Sequence, residues 1–152
     1  MNQDVKIILA EDNQGHATLI KKNLKRAGIK NKIIHFSDGR KTLDYLFNRS
    51  TNIKRKSGVP HLLILDIKMP NIDGIEVLRR IKNDQELCKL PVIMMTSTDD
   101  PREVEKCHRL GCSSYISKPI NYDKFVEAIN KLGLYLMIVE IPAINGEEIK
   151  QI

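Results

Sequence analysis

Five short apolar runs, each followed by an amphipathic helical stretch, constrain this 152-residue chain more than any other feature. "VKIILA" (5–10), "KIIHF" (32–36), residues 61–66 with Leu62-Leu63-Ile64-Leu65, "PVIMMT" (91–96) and "SSYIS" (113–117) read as strands. The continuous apolar character of the third run is that of a strand buried on both faces, as inside a parallel sheet. Between the runs, Ala17, Ile20, Leu24 and Ala27 mark one helical face closed by Gly28, and residues 39–47 form a second helix. Ile75, Leu78 and Ile81 stripe a third helix over 74–83. Asp100, Pro101 and Glu103 open a fourth as cap, first helical residue and capping-box acid, and a fifth begins near Asn121. Strands alternating with helices in this way predict one α/β domain, a doubly wound five-stranded parallel sheet with helices on both faces.

In such sheets sites form where strand C-termini meet loops. The first strand ends in Glu11-Asp12, the third in Asp66, the fourth in Thr96-Ser97, and Lys118-Pro119 follows the fifth. Any one of these alone has a bland reading: an acidic pair can cap a helix, and a strand-end threonine or lysine is ordinary surface. Four coinciding strand ends are not ordinary. Three crowded carboxylates repel unless a cation lies between them, and hard oxygen donors suit Mg²⁺, or Mn²⁺ in its place. A carboxylate beside such an ion and a lysine can act as nucleophile toward phosphorus, giving an aspartyl phosphate, with a threonine hydroxyl bonding a phosphoryl oxygen.

Composition narrows the class. With 41% hydrophobic and 29% charged residues the chain is that of a soluble globular protein. No apolar stretch approaches the roughly 20 residues of a membrane span, and Glu11 and Asp12 arrive too early for a signal peptide, so no membrane role is expected. Three irregularly spaced cysteines, Cys88, Cys107 and Cys112, argue against a disulfide framework and for a reducing cytoplasm. Cys107 and His108 are adjacent on a helix and point about 100° apart, which disfavours a shared metal. Twelve Lys/Arg face two Asp/Glu between residues 21 and 58, a local +10 within a net +6. The basic run "NRSTNIKRKSG" lacks interleaved aromatic residues, and a solvated surface accounts for it better than nucleic-acid binding does. His16, His35 and His61 carry no readable partner pattern.

"LAEDN", "LDIKMPNIDG", "MMTS" and "YISKP" together resemble the receiver domain of two-component response regulators, over residues 4–132, with 133–152 as a C-terminal extension. The "NRSTNIKRKSG" insertion is similar to that of stand-alone regulators of phytochrome-type histidine kinases. The resemblance implies a flavodoxin-like (βα)5 fold in which Asp66 accepts a phosphoryl group from a histidine kinase. Glu11, Asp12, Asp66 and the backbone carbonyl of Lys68 would hold Mg²⁺. Thr96 and Lys118 would contact the phosphoryl group, and Thr96 and Tyr115 would switch conformation. Lys118-Pro119 would be a cis peptide. Glu11 departs from the usual pair of aspartates, which bears on metal geometry but not on charge. Lys68 and Thr98, two residues beyond the acceptor and the hydroxyl residue, are poor bases and imply slow-to-moderate self-dephosphorylation.

Two rivals fail on residues. A phosphatase of the haloacid dehalogenase type needs an aspartate two beyond the nucleophile, where Lys68 stands, and a flavodoxin-like cofactor binder needs a phosphate-cradling loop where Glu11-Asp12 stand. With no further domain expected after residue 132, output would be protein–protein contact or phosphotransfer. The receiver helix should end near Leu132, yet Leu134 to Val139 follow without a charge. If helical, that segment is apolar all round and either packs on its own domain or meets another chain; a homodimer through the last helix and its extension, with Leu136 and Ile138 buried in it, is the favoured expectation.

Overall fold

The computed structural model describes residues 1–49 and 52–145; part of the basic insertion (50–51) and the end of the extension (146–152) lie outside them. In chain order the elements are β1 (Lys6–Ala10), α1 (Gln14–Arg26), β2 (Ile33–Phe36), α2 (Gly39–Leu46), β3 (Val59–Leu65), α3 (Gly74–Lys82), a 3-10 turn (Leu87–Lys89), β4 (Val92–Thr96), α4 (Pro101–Leu110), β5 (Ser114–Ser117), α5 (Tyr122–Leu136) and β6 (Ala143–Ile144). The first five strands form one parallel sheet in the order β2-β1-β3-β4-β5, so the order reverses between β1 and β3. All five expected strands and helices are present.

The central strands are apolar throughout because each feeds two cores. Ile7 and Leu9 of β1, Leu62 and Ile64 of β3, and Ile93 and Met95 of β4 pack with Ala17, Ile20 and Leu24 of α1 and Phe125, Ile129 and Leu132 of α5. Their alternates, Ile8 and Ala10, Leu63 and Leu65, Val92 and Met94, pack with Leu43 and Leu46 of α2, Val77, Leu78 and Ile81 of α3 and Cys107 of α4. Alternation along a strand sends successive side chains to opposite faces, and covering both faces leaves no polar position in the middle.

Helix starts follow the caps. Asn13, Asp38, Asp73, Asp100 and Asn121 each accept a backbone N–H of the first turn through the side chain. Gly111 closes α4 in the left-handed conformation at φ 106°.

The C-terminal segment departs from expectation. α5 does not stop near Leu132 but runs through Gly133 to Leu136. Gly133 is helical and lies against α1, where a Cβ would stand 2.6 Å from the Ala27 Cβ. Leu136 is fully buried in the α1/α5 core, so it belongs to its own domain and not to a surface between chains. Beyond it the chain turns under the sheet, with Val139 and Ile141 against that core. β6 then pairs antiparallel with the start of β3, Ile144 opposite Val59, and Ile144 is buried in the other core. Asn145 donates its amide to Glu86 Oε1 at 2.9 Å.

The basic insertion is not wholly solvated either. Arg55 is buried, its Nε donating to the Leu46 carbonyl at 2.9 Å and its amide to Asn48 Oδ1 at 3.1 Å. A charge change there therefore disturbs the fold, unlike one at exposed Lys54 or Lys56.

His61, buried in β3, receives the Tyr45 hydroxyl on Nε2 at 2.9 Å and donates from Nδ1 to the Val59 carbonyl at 2.9 Å. This pairing requires the neutral ring, and burial pushes its pKa down to about 4. The unfolded chain protonates first as pH falls below about 6.5, so the contribution is complete above that value and is lost between about 6.5 and 4. The loss amounts to up to about 3 kcal/mol. Urea denaturation across this window should show wild-type stability falling more steeply than that of His61→Gln, which cannot titrate; parallel profiles would refute the assignment.

Candidate functional site

The sheet's parallel sense carries four sequence-predicted groups to one edge. The β1–β3 register sets Ala10 opposite Leu65, so Glu11 and Asp66 leave adjacent strands at the same level. The Asp66 amide donates to the Ala10 carbonyl at 3.0 Å, fixing that level. The β4–β5 register sets Thr96 opposite Ser117, and the Lys118 amide donates to the Thr96 carbonyl at 2.7 Å.

α3 abuts the same point. Asp73 caps it, and the Gly74 amide donates to the Ile67 carbonyl at 2.7 Å. A Cβ on Gly74 would lie 2.0 Å from the Asp66 carbonyl oxygen, so only glycine allows the helix to start here. The Asp-Gly of "NIDG" is thus a cap followed by a close approach.

Glu11, Asp66, Thr96 and Lys118 are all buried, whereas Asp12 is exposed. Lys118 Nζ donates to Glu11 Oε1, to Asp66 Oδ2 at 3.1 Å and to His16 Nδ1 at 3.2 Å. Asp66 Oδ1 accepts the Ile67 amide at 2.7 Å. The Lys118-Pro119 bond is trans, since no cis peptide occurs among the described residues, and this corrects the expectation. Trans is the intrinsically favoured isomer, and the lysine enters the site from it.

One carboxylate oxygen from each of Glu11, Asp12 and Asp66 lies within 4.8 Å of the other two. That is about the span of two metal–oxygen bonds, and the donor set is wholly hard oxygen, so these residues fit a small divalent cation. Lys68 is exposed and shares with Asp12, Asp73 and Glu103 the rim of a cleft of about 660 Å³. Charge is unbalanced here, three carboxylates against one buried ammonium. Burial pushes the Glu11 carboxyl up to about 7; the Lys118 hydrogen bond opposes this rise and the Asp66 charge adds to it.

Tyr115 lies half-buried beside the α3/α4 core, its hydroxyl donating to the Thr98 carbonyl at 2.8 Å. Burial pushes its phenol up to about 12. Thr98 donates to Glu103 Oε1 at 3.1 Å and receives the Asp100 amide at 3.3 Å. Glu103 therefore bonds Thr98 and does not complete a capping box with Asp100.

Sequence reasoning missed three participants. His35 Nε2 donates to the Glu11 carbonyl at 2.7 Å. Its place near the end of β2, opposite Leu9, was open to the strand-end rule already applied to its neighbours. Asn13 gives its amide to Glu11 Oε2 at 3.1 Å and takes that of His16 on Oδ1 at 3.0 Å. His16 reaches Lys118 from the first turn of α1 and stands edge-on to Phe125, with ring centroids 5.4 Å apart. No spacing rule connects residue 16 with residue 118; only the fold does.

The response regulator receiver domain model matches residues 7–130. A response regulator receiver domain from Rhodospirillum rubrum superposes with a TM-score of 0.87 at 40% identity, covering 93% of this chain and 99% of that one. The Mn²⁺-bound form of response regulator Rcp1 gives 0.82 at 26% identity, covering 91% and 99%. The bacteriophytochrome response regulator RtBRR gives 0.70 at 34% identity, covering 90% and 82%. The family match takes in Glu11, Asp66, Thr96 and Lys118, and the chain belongs to the response regulator receiver domain family of two-component signalling.

Proposed function

We propose that the chain is a single-domain response regulator whose Asp66 accepts a phosphoryl group from a histidine kinase. The observation that carries this reading is the Lys118 ammonium bonded to Asp66 and Glu11 inside a cluster of three carboxylates at the sheet's C-terminal edge. Glu11, Asp12, Asp66 and the backbone carbonyl of Lys68 would hold Mg²⁺ or Mn²⁺. When bound, the cation would supply positive charge to the transferring phosphoryl oxygens.

An Asp66 carboxylate oxygen attacks phosphorus, the phosphorus–nitrogen bond of the phosphohistidine breaks, and the departing imidazole nitrogen keeps the electron pair and takes up a proton. The Ile67 amide and Lys118 orient the attacking carboxylate beforehand. Lys118 and the Thr96 hydroxyl then hold phosphoryl oxygens. Thr96 and Tyr115 carry the change to the surface of α4, β5 and α5. The domain performs no turnover beyond accepting and losing its own phosphoryl group, and it acts in the cytoplasm through protein contacts or onward phosphotransfer. The likeness to a bacteriophytochrome response regulator supports a phytochrome-type kinase as the donor.

Asp66→Asn should fold normally and take no label from acetyl phosphate with Mg²⁺, since an amide does not attack phosphorus. Labelling of that variant at wild-type stoichiometry would remove Asp66 as acceptor.

A homodimer through the end of α5 is the second part of this reading, with its residues revised. Leu134, Tyr135 and Ile138, at 62%, 46% and 78% exposure, form the open apolar surface, since Leu136 is internal. Leu134→Asp with Ile138→Asp should give a folded monomer by analytical ultracentrifugation, whereas Leu136→Asp should unfold. A wild-type chain that stays monomeric at high concentration, with and without beryllofluoride, would reject the dimer.

A further inference from the structure

We propose that His16 is a positioning residue for Lys118, holding the ammonium in the site while Glu11 and Asp66 change partners. The inference rests on the reading of Asp66 as phosphoacceptor. It starts from a closed ring of hydrogen bonds. The Asn13 amide donates to Glu11 Oε2, the His16 amide donates to Asn13 Oδ1, and Lys118 Nζ donates both to His16 Nδ1 and back to Glu11 Oε1. The Phe125 ring, edge-on at 85°, fixes the imidazole from the α5 side.

An ammonium has three N–H donors, and Glu11, Asp66 and His16 accept all three. Before Lys118 can bond a phosphoryl oxygen, at least one of these must be given up. Glu11 and Asp66 are hard oxygen donors that a divalent cation also attracts, and Asp66 itself becomes esterified. His16 offers a neutral nitrogen, which neither Mg²⁺ nor the phosphoryl group competes for. Its acceptor role needs an unprotonated Nδ1, and burial with the neighbouring ammonium lowers its pKa. Of the three acceptors, His16 is the one whose bond to Lys118 survives the exchange. Without it the lysine stem loses its fixed end at the moment the carboxylates turn away.

The test compares His16→Leu and His16→Phe, which remove the acceptor, with His16→Asn, whose side-chain oxygen occupies the place of Nδ1. In the metal-free full chain, reductive methylation followed by mass spectrometry should modify Lys118 several-fold faster in the two apolar variants than in wild type. His16→Asn should stay near wild type. With Mg²⁺, the initial rate of labelling by acetyl phosphate should fall roughly tenfold in the apolar variants and recover in His16→Asn. Mg²⁺ affinity by calorimetry should be unchanged in all three. Apolar variants that match wild type in both methylation and labelling overturn the proposal, as does an Asn variant impaired like Leu and Phe. A wild-type chain that takes no label rejects the phosphoacceptor reading instead, and the methylation comparison alone then decides the role of His16.

Discussion

Among the described residues Lys118 is the buried cation that bonds two of three clustered carboxylates, and the site depends on it. Taking a charge out of water costs several kcal/mol unless partners replace the lost hydration, and here Glu11 and Asp66 replace most of it. The exchange is incomplete. Burial raises the Glu11 carboxyl to about 7 even with the ammonium bonded to it. A carboxyl with a raised folded-state pKa weakens the fold as pH climbs from its ordinary value toward the raised one. The protein's own groups are therefore short of positive charge here, and a divalent cation would make up the difference.

That shortage is held in place by backbone, not by side chains. Asp66 is tied to β1 through the Ala10 carbonyl, Lys118 to β4 through the Thr96 carbonyl, and α3 is pressed against the Asp66 carbonyl at Gly74. Two complete cores back these strands, so the carboxylates cannot separate without disturbing the sheet. A fixed, unfavourable grouping of like charges is what makes a cation site selective for a small, highly charged ion.

Much of this was legible in the chain. A strand buried on both faces writes itself as an unbroken apolar run, and in a parallel sheet the residue after such a run is carried to the common edge. Glu11, Asp66, Thr96 and Lys118 could be read on that rule alone. What stayed hidden depends on distances the sequence does not encode. His16 meets Lys118 across 102 positions, Arg55 turns inward to a helix end, and Ile144 inserts beneath β3. Leu136 looked like interface because an apolar run beyond an expected helix end has two possible fates. The small gap at Ala27, which admits Gly133 and lets α5 continue, decided between them.

The described parts of the insertion and the extension stabilise the pole opposite the site. The Gly58 amide donates to the Ile144 carbonyl at 2.8 Å, Val59 and Pro60 pair with β6, and the N-terminal ammonium of Met1 bonds the Met137 carbonyl. Met1, residues 58–60 and β6 thereby meet at the N-terminal ends of the strands. At the other pole, the β4–α4 connection is held by single bonds among Tyr115, Thr98 and Glu103, next to an open cleft. Segments with few buried apolar contacts and isolated hydrogen bonds open at lower free energy than a strapped sheet does. On the proposed reading of Asp66 as phosphoacceptor, a change of its charge would meet less resistance along β4 and β5 toward α4 than toward the strapped pole.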